Sequence, residues 1–284
     1  MSRPWSGPWH EAALQLRENR VALAALGVLG AIAVLTLVGP MLNPNRFDAV
    51  DWAHAAVPPA AFGHWLGTDR LGRDLFVRTL AGARISLVLG LLATSLSVVI
   101  GVAYGAVAGF CGGGVDHLMM RLIEILSGLP LIFFVILLTV SFGRSPTLLF
   151  ASIGAVGWLT IARIVRGHAL SIRRREFIEA AIAGGTRSTR IITRHIVPNL
   201  LGPVIVYATL LVPQMILFES FLSFLGLGIQ EPQPSLGALI ADGAAEIEIA
   251  PWILLVPGGL LAVLLACFNV LGDALSDALD VDRA

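Results

Sequence analysis

The chain has 284 residues, 56% of them hydrophobic and only 13% charged, with a mean hydropathy of +0.84; soluble domains carry about 25% charged residues, so this composition belongs in a bilayer. Its formal net charge is zero, which removes any overall electrostatic bias toward nucleic acid. All nineteen basic residues are arginine, and the absence of lysine excludes a Walker-type ATP site, whose lysine holds the β/γ-phosphates, as well as Schiff-base chemistry.

At the N-terminus, Trp5, Trp9 and Leu16 recur at roughly helical spacing. Indole rings favour the headgroup layer, so residues 1–20 are expected to form a cytoplasmic interfacial helix. The uncharged run from Val21 to about Met41 is too long for the apolar core of a signal peptide, and no A-x-A site follows it. It reads as a retained first transmembrane anchor, 21–41. Uncharged runs of about 18 residues or more are candidate membrane helices. After the anchor they fall within Ile85–Phe110, Ile125–Phe142 and Pro146–Ala162, then about Leu200–Phe218 and Pro251–Gly272. The expectation is an all-α polytopic membrane protein with six transmembrane helices and both termini on one side.

Orientation follows the arginines. With both termini, the 111–120 loop and the 163–198 loop placed in the cytoplasm, thirteen arginines lie inside, Arg3, Arg173, Arg174, Arg175 and Arg283 among them. Six lie outside: Arg46, Arg70, Arg73, Arg78, Arg84 and Arg144. Most of these fall in an extracytoplasmic loop, 42–84, where Asp48, Asp51, Asp69 and Asp74 offset much of their charge. Cys111 and Cys267 have no spacing that suits zinc or an iron–sulfur cluster and read as buried apolar thiols, and the histidines show no metal-ligand spacing.

Within the outer loop, the run from His64 to Asp74 contains Gly-Thr-Asp and Gly-Arg-Asp, which read as turns with local Asp–Arg pairing. It suits an ordered loop leading into the second span, or a contact for a soluble delivery protein. Gly112, Gly113 and Gly114 read as a hinge, Arg121 and Glu124 as an ion pair on one helical face, and Pro130 as a kink in the third span.

The most informative segment lies between the fourth and fifth spans. After Glu179, the residues Ala180, Ala181, Ala183 and Gly184 leave a nearly bare helix surface, suited to close approach by a partner protein. Gly185 is expected to stop that helix, and Arg187 to Ile196 to form a second short helix that ends at Pro198. Farther along, Glu219 stands among apolar residues at the end of the fifth span. A carboxylate at such depth is a functional candidate, whereas at the outer interface it is merely solvated. The uncharged stretch Ser220–Gln230 is too short to span and suits a segment dipping into the outer face as a gate, with Phe221, Phe224 and Leu225 helping to close it.

These segments carry a family resemblance. Glu179-Ala180-Ala181, three residues, Gly185, nine residues, then His195-Ile196-Val197-Pro198 resembles the E-A-A…G…I-x-L-P loop of ABC-importer permeases, with His195 and Val197 in place of the family's Ile and Leu. H-W-L-G-T-D-x-x-G-R-D from His64, F-L-G-L-G before P-x-P-S-x-G near Pro232, and the ending Asn269–Asp280 resemble the C-type permease of dipeptide, oligopeptide and nickel importers. The resemblance implies a type I ABC-importer permease fold, a core at 85–284, and a bacterial inner-membrane location with both termini cytoplasmic. It implies a peptide importer that works with a homologous B-type permease, two ABC ATPase subunits that bind ATP and magnesium, and an extracytoplasmic solute-binding protein. This chain itself would hold no cofactor or metal and do no catalysis; it would contact membrane lipid but no nucleic acid. Import of nickel or another small solute by the same machinery is the alternative, and an ion-coupled secondary transporter a more distant one.

Overall fold

The computed structural model describes residues 8–42, 46–143 and 145–279; of the residues weighed above, Arg3, Trp5, Arg144, Asp280 and Arg283 lie outside the described residues. The described residues contain no strand, only isolated bridges at Ala61–His64 and Thr68–Asp74. Helix α1 (Pro8–Glu18) packs against the last helix of the chain and is separated by Asn19 alone from α2 (Arg20–Leu42). The Asn19 side chain caps α2 by accepting from the N–H groups of Val21 and Ala22 at 3.1 Å.

Helix α3 (Leu75–Cys111) opens on Asp74, whose carboxylate accepts from the Val77 N–H at 3.1 Å, so the end of the expected 42–84 loop is already helical. Its closest partner is α6 (Pro146–Arg173). Gly101, Gly105 and Gly109 recur one turn apart along α3 and face Ile161, Ala162, Val165 and Ala169. A Cβ on Gly105 would sit 2.5 Å from the Ala162 carbonyl oxygen, so only glycine lets the two backbones meet. Helix α9 (Val197–Phe224) lies against both, and Leu89, Ala93, Val165, Leu200 and Met215 form the main core between them. On the other side of α9, α10 (Leu236–Ala245) and α11 (Trp252–Leu279) pack with α2 around Ile32, Ile216, Leu236, Leu261 and Leu264.

Among the described residues, five helical stretches are long and apolar enough to cross a membrane: Arg20–Gly39, Leu75–Cys111, Thr147–Arg173, Ser188–Phe224 and Trp252–Leu279. The third expected span is divided. Helix α4 (Gly113–Ser127) stops, Gly128 to Pro130 are not helical, and α5 (Leu131–Phe142) resumes with 12 residues. Proline disfavours helical geometry in the residue before it, so Leu129-Pro130 breaks the helix where only a kink was expected. The expected count of six is therefore only approximate, because α5 with 12 residues is too short to cross a membrane by itself.

Two further expectations are corrected. The 111–120 loop is a single junction residue, Gly112, at φ +65°, because α4 starts at Gly113. Arg173 closes this corner by donating to the Cys111 carbonyl at 3.2 Å and lying over the Phe110 ring. Cys111 is exposed there and Cys267 half-buried, so neither is the buried thiol expected.

Candidate functional site

Two places on α9 gather the residues singled out by sequence, one at its start and one near its end. They are about 35 Å apart along the helix at 1.5 Å per residue.

At the start, α7 (Glu176–Ala183) follows α6 after a two-residue corner at Arg174 and Arg175. Its stop has a specific geometry. Gly185 takes φ +74° and donates its N–H to the Ile182 carbonyl at 3.0 Å, while the Thr186 N–H reaches the Ala181 carbonyl at 3.0 Å. This Schellman pattern demands a left-handed residue, which is why glycine stands at 185. Helix α8 (Ser188–Ile191) follows and runs through a π-helical turn, Ile192–Ile196, into α9 without interruption. Pro198 therefore does not end a short helix as expected. The Val197 N–H bonds five residues back, to Ile192, so the widened turn takes in a residue without an N–H. The Asn199 side-chain amide donates to the His195 carbonyl at 2.6 Å, adding a side-chain bond just after the proline.

Ile178, Ile191 and Ile196 are fully buried and pin this segment to Ala169 and Ile172 of α6. The opposite side is open: Glu179, Ala180, Ala183, Gly184 and Gly185 are exposed, with Phe177 and Ile182 beside them. Ala181 and Val197 are half-buried, and the half-buried His195 ring lies 6.4 Å from that of Phe177, joining the π turn to α7. The motif is one folded unit presenting a small-residue surface. The three isoleucine anchors were missed, although their apolar side chains among charged neighbours were a readable signal.

Near the other end, Glu219 is fully buried. This sets aside the reading in which it is merely solvated. The Ser86 hydroxyl of α3 donates to Glu219 Oε2 at 2.6 Å, Ser223 to Oε1 at 2.8 Å, and Ser220 to Oε2 at 3.4 Å. Ser86 in turn accepts the Leu236 N–H at 3.3 Å, so one carboxyl group ties α3, α9 and the start of α10 together. Gly237 permits this, since a Cβ there would lie 2.0 Å from the Ser220 carbonyl oxygen. Phe221, Phe224 and Leu225 point outward and are exposed. Helix α9 stops in a second Schellman turn, with Gly226 at φ +75° and the Leu227 N–H on the Leu222 carbonyl at 2.9 Å.

The non-helical segment that leads into α3 is held by side-chain pairs, and the expected Asp–Arg pairing is there. Arg73 Nε donates to Asp69 Oδ2 at 2.6 Å, and Asp69 Oδ1 also accepts the N–H groups of Leu71 and Arg73. His64 Nδ1 lies 2.7 Å from Asp74 Oδ2. Sequence reading missed that Arg73 also reaches Glu231, at 3.0 Å, and that Trp252 Nε1 of α11 donates to the Thr68 carbonyl at 3.3 Å. Burial disfavours the Arg73 charge, yet Asp69 and Glu231 outweigh it and hold the guanidinium above its usual pKa. Beyond the far end of α3, Arg121 pairs with Glu124 at 3.0 Å as expected, while Arg166 makes a two-pronged pair with Asp116 at 2.5 Å that spacing alone could not reveal.

Residues 101–281 match the family model described as "Binding-protein-dependent transport system inner membrane component", and residues 7–59 match "N-terminal TM domain of oligopeptide transport permease C". The chain is 54% identical over 273 residues to the oligopeptide transport system permease protein OppC of Escherichia coli K12, covering 96% of this chain and 90% of that protein. It is 50% identical to OppC of Haemophilus influenzae, covering 96% of this chain and 88% of that one, and 43% identical to the dipeptide transport system permease protein DppC of Bacillus subtilis, covering 99% and 88%. Among solved structures it resembles the inward-facing MetNI methionine ABC transporter, with a TM-score of 0.58, 18% identity, and coverage of 71% of this chain and 96% of that one. That likeness carries the fold alone.

Proposed function

Because the chain belongs to the family of binding-protein-dependent transport system inner membrane components, we propose that it is the C-type permease subunit of an ATP-driven peptide importer. The observation that carries the reading is the unit at the start of α9, a small-residue surface held rigidly by Ile178, Ile191 and Ile196 and shaped to receive a partner. ATP and magnesium sit on two separate ATPase subunits. Their closure moves α7 through Glu179, Ala180 and Ala181, and the continuous helix from Ser188 to Phe224 carries that motion across the membrane. The chain holds no cofactor and performs no chemistry; it couples and conducts. A homologous B-type permease forms the other half of the path, and an extracytoplasmic binding protein delivers the substrate. The named relatives are oligopeptide and dipeptide permeases, which favours peptides over nickel or another small solute.

The outer part of the path lies near the end of α9. Glu219 braces it from within, while Phe221, Phe224 and Leu225 face the path and close it. The division into a cytoplasmic N-terminal segment at 1–20, an anchor at 21–41, an outer segment at 42–84 and a core at 85–284 serves this arrangement.

The experiment that tests the proposal is affinity purification from the membrane in mild detergent. The expected result is a complex with a second permease and two ATPase subunits; a single chain that transports alone refutes it. Both termini belong in the cytoplasm, and topology is checked separately. Cys111 is exposed at the inner end of α3, so a membrane-impermeant maleimide added to intact spheroplasts should leave it unlabelled and should label it in inside-out vesicles. Rapid labelling from outside would invert the orientation.

A further inference from the structure

A charged cluster at the outer ends of α3 and α10 has no part in the function so far. Asp69, Arg73 and Arg78 are almost wholly buried. Arg73 and Arg78 share Asp69 Oδ2, at 2.6 and 3.3 Å, and Arg78 Nη1 donates to the Phe47 carbonyl at 3.2 Å. Both guanidiniums also turn toward Glu231 Oε1, at 3.0 Å from Arg73 and 3.9 Å from Arg78. Buried Arg73 Nη2 has no hydrogen-bond partner.

The two sides of this cluster differ in freedom. The arginine side is built in: a Cβ on Gly72 would lie 1.7 Å from the Asp51 carbonyl oxygen, and Trp252 holds Thr68 from α11. Glu231 comes instead from the non-helical connector between α9 and α10, and its side chain is 60% exposed. Glu231 can trade its arginine partners for water, whereas Arg73 and Arg78 cannot leave.

We propose that Arg73 and Arg78 form a fixed catch and Glu231 a releasable latch, positioning residues that hold the 225–235 connector, and with it Phe224 and Leu225, in the closed arrangement. The inference rests on the reading of Phe221, Phe224 and Leu225 as the outer closure. Releasing the latch raises the population of the open arrangement before any binding protein docks.

The test uses the whole complex in nanodiscs with Cys111→Ser, Cys267→Ser and Leu225→Cys. The readouts are labelling at position 225 by an impermeant maleimide and ATP hydrolysis without the binding protein. Glu231→Gln should raise both by about two- to fivefold, the range of a partly exposed ion pair, Glu231→Arg should exceed it, and Glu231→Asp should return toward wild type. Unchanged rates in an assembled Glu231→Gln complex would overturn the latch. So would failure to assemble, which would make Glu231 a folding residue. Labelling in the wild type that ignores ATP binding would fail the closure reading itself, whereas labelling that responds to ATP but ignores residue 231 fails the latch alone.

Discussion

A Gly185→Val chain is expected to reach the membrane and assemble yet lose most of its transport. The backbone at 185 sits at φ +74° with nothing within 4 Å of a built Cβ. The cost, about 1–2 kcal/mol for a left-handed L-residue, therefore falls on the turn between α7 and α8 and spares the core. Glu179→Arg attacks the same unit from its surface, because Glu179 is exposed in the first turn of α7, where a negative charge suits the helix N-terminus. Loss of coupling of about 1–3 kcal/mol corresponds to a fall of roughly 5- to 150-fold. Uptake and binding-protein-stimulated ATP hydrolysis, measured beside complex yield, read this out. Uptake at wild-type level in both variants would place coupling on another surface.

The other large effect is expected at Glu219. Glu219→Leu keeps bulk but leaves Ser86, Ser220 and Ser223 without their carboxyl acceptor. Serines within helices recover part of the loss by turning to a carbonyl four residues back. With about 1 kcal/mol or more per orphaned buried hydroxyl, the net cost is about 2–4 kcal/mol. Assembled yield and thermal stability should both fall. Glu219→Gln retains size and hydrogen bonding, so it should assemble and show near-normal basal ATP hydrolysis with reduced uptake. Wild-type uptake in Glu219→Gln would make the group a neutral bracket, and full stability in Glu219→Leu would contradict the bracket altogether.

Much of this was legible because the signals are local. Apolar runs mark the spans, and Gly185 announces a helix stop because a left-handed turn needs it. Asp69 and Arg73 pair across four residues. What escaped depends on distance in sequence or on subtler helix geometry. Ser86 and Glu219 are 133 residues apart and Arg73 and Glu231 158 apart, and nothing in either segment names its partner. Pro198 looks like a terminator by composition, yet a π turn one step earlier absorbs it. At Pro130 the opposite happened: a kink was expected, and the helix broke because the proline drives Leu129 before it out of helical geometry.

The central claim is that this chain conducts and couples but does not itself consume ATP. The most direct test is uptake of a labelled peptide into proteoliposomes that hold the purified complex, with the binding protein outside and nucleotide inside. Accumulation should require ATP within the vesicle and vanish when the ATPase subunits are omitted or given a non-hydrolysable analogue. Accumulation driven by an ion gradient without ATP, or by this chain alone, would contradict the account.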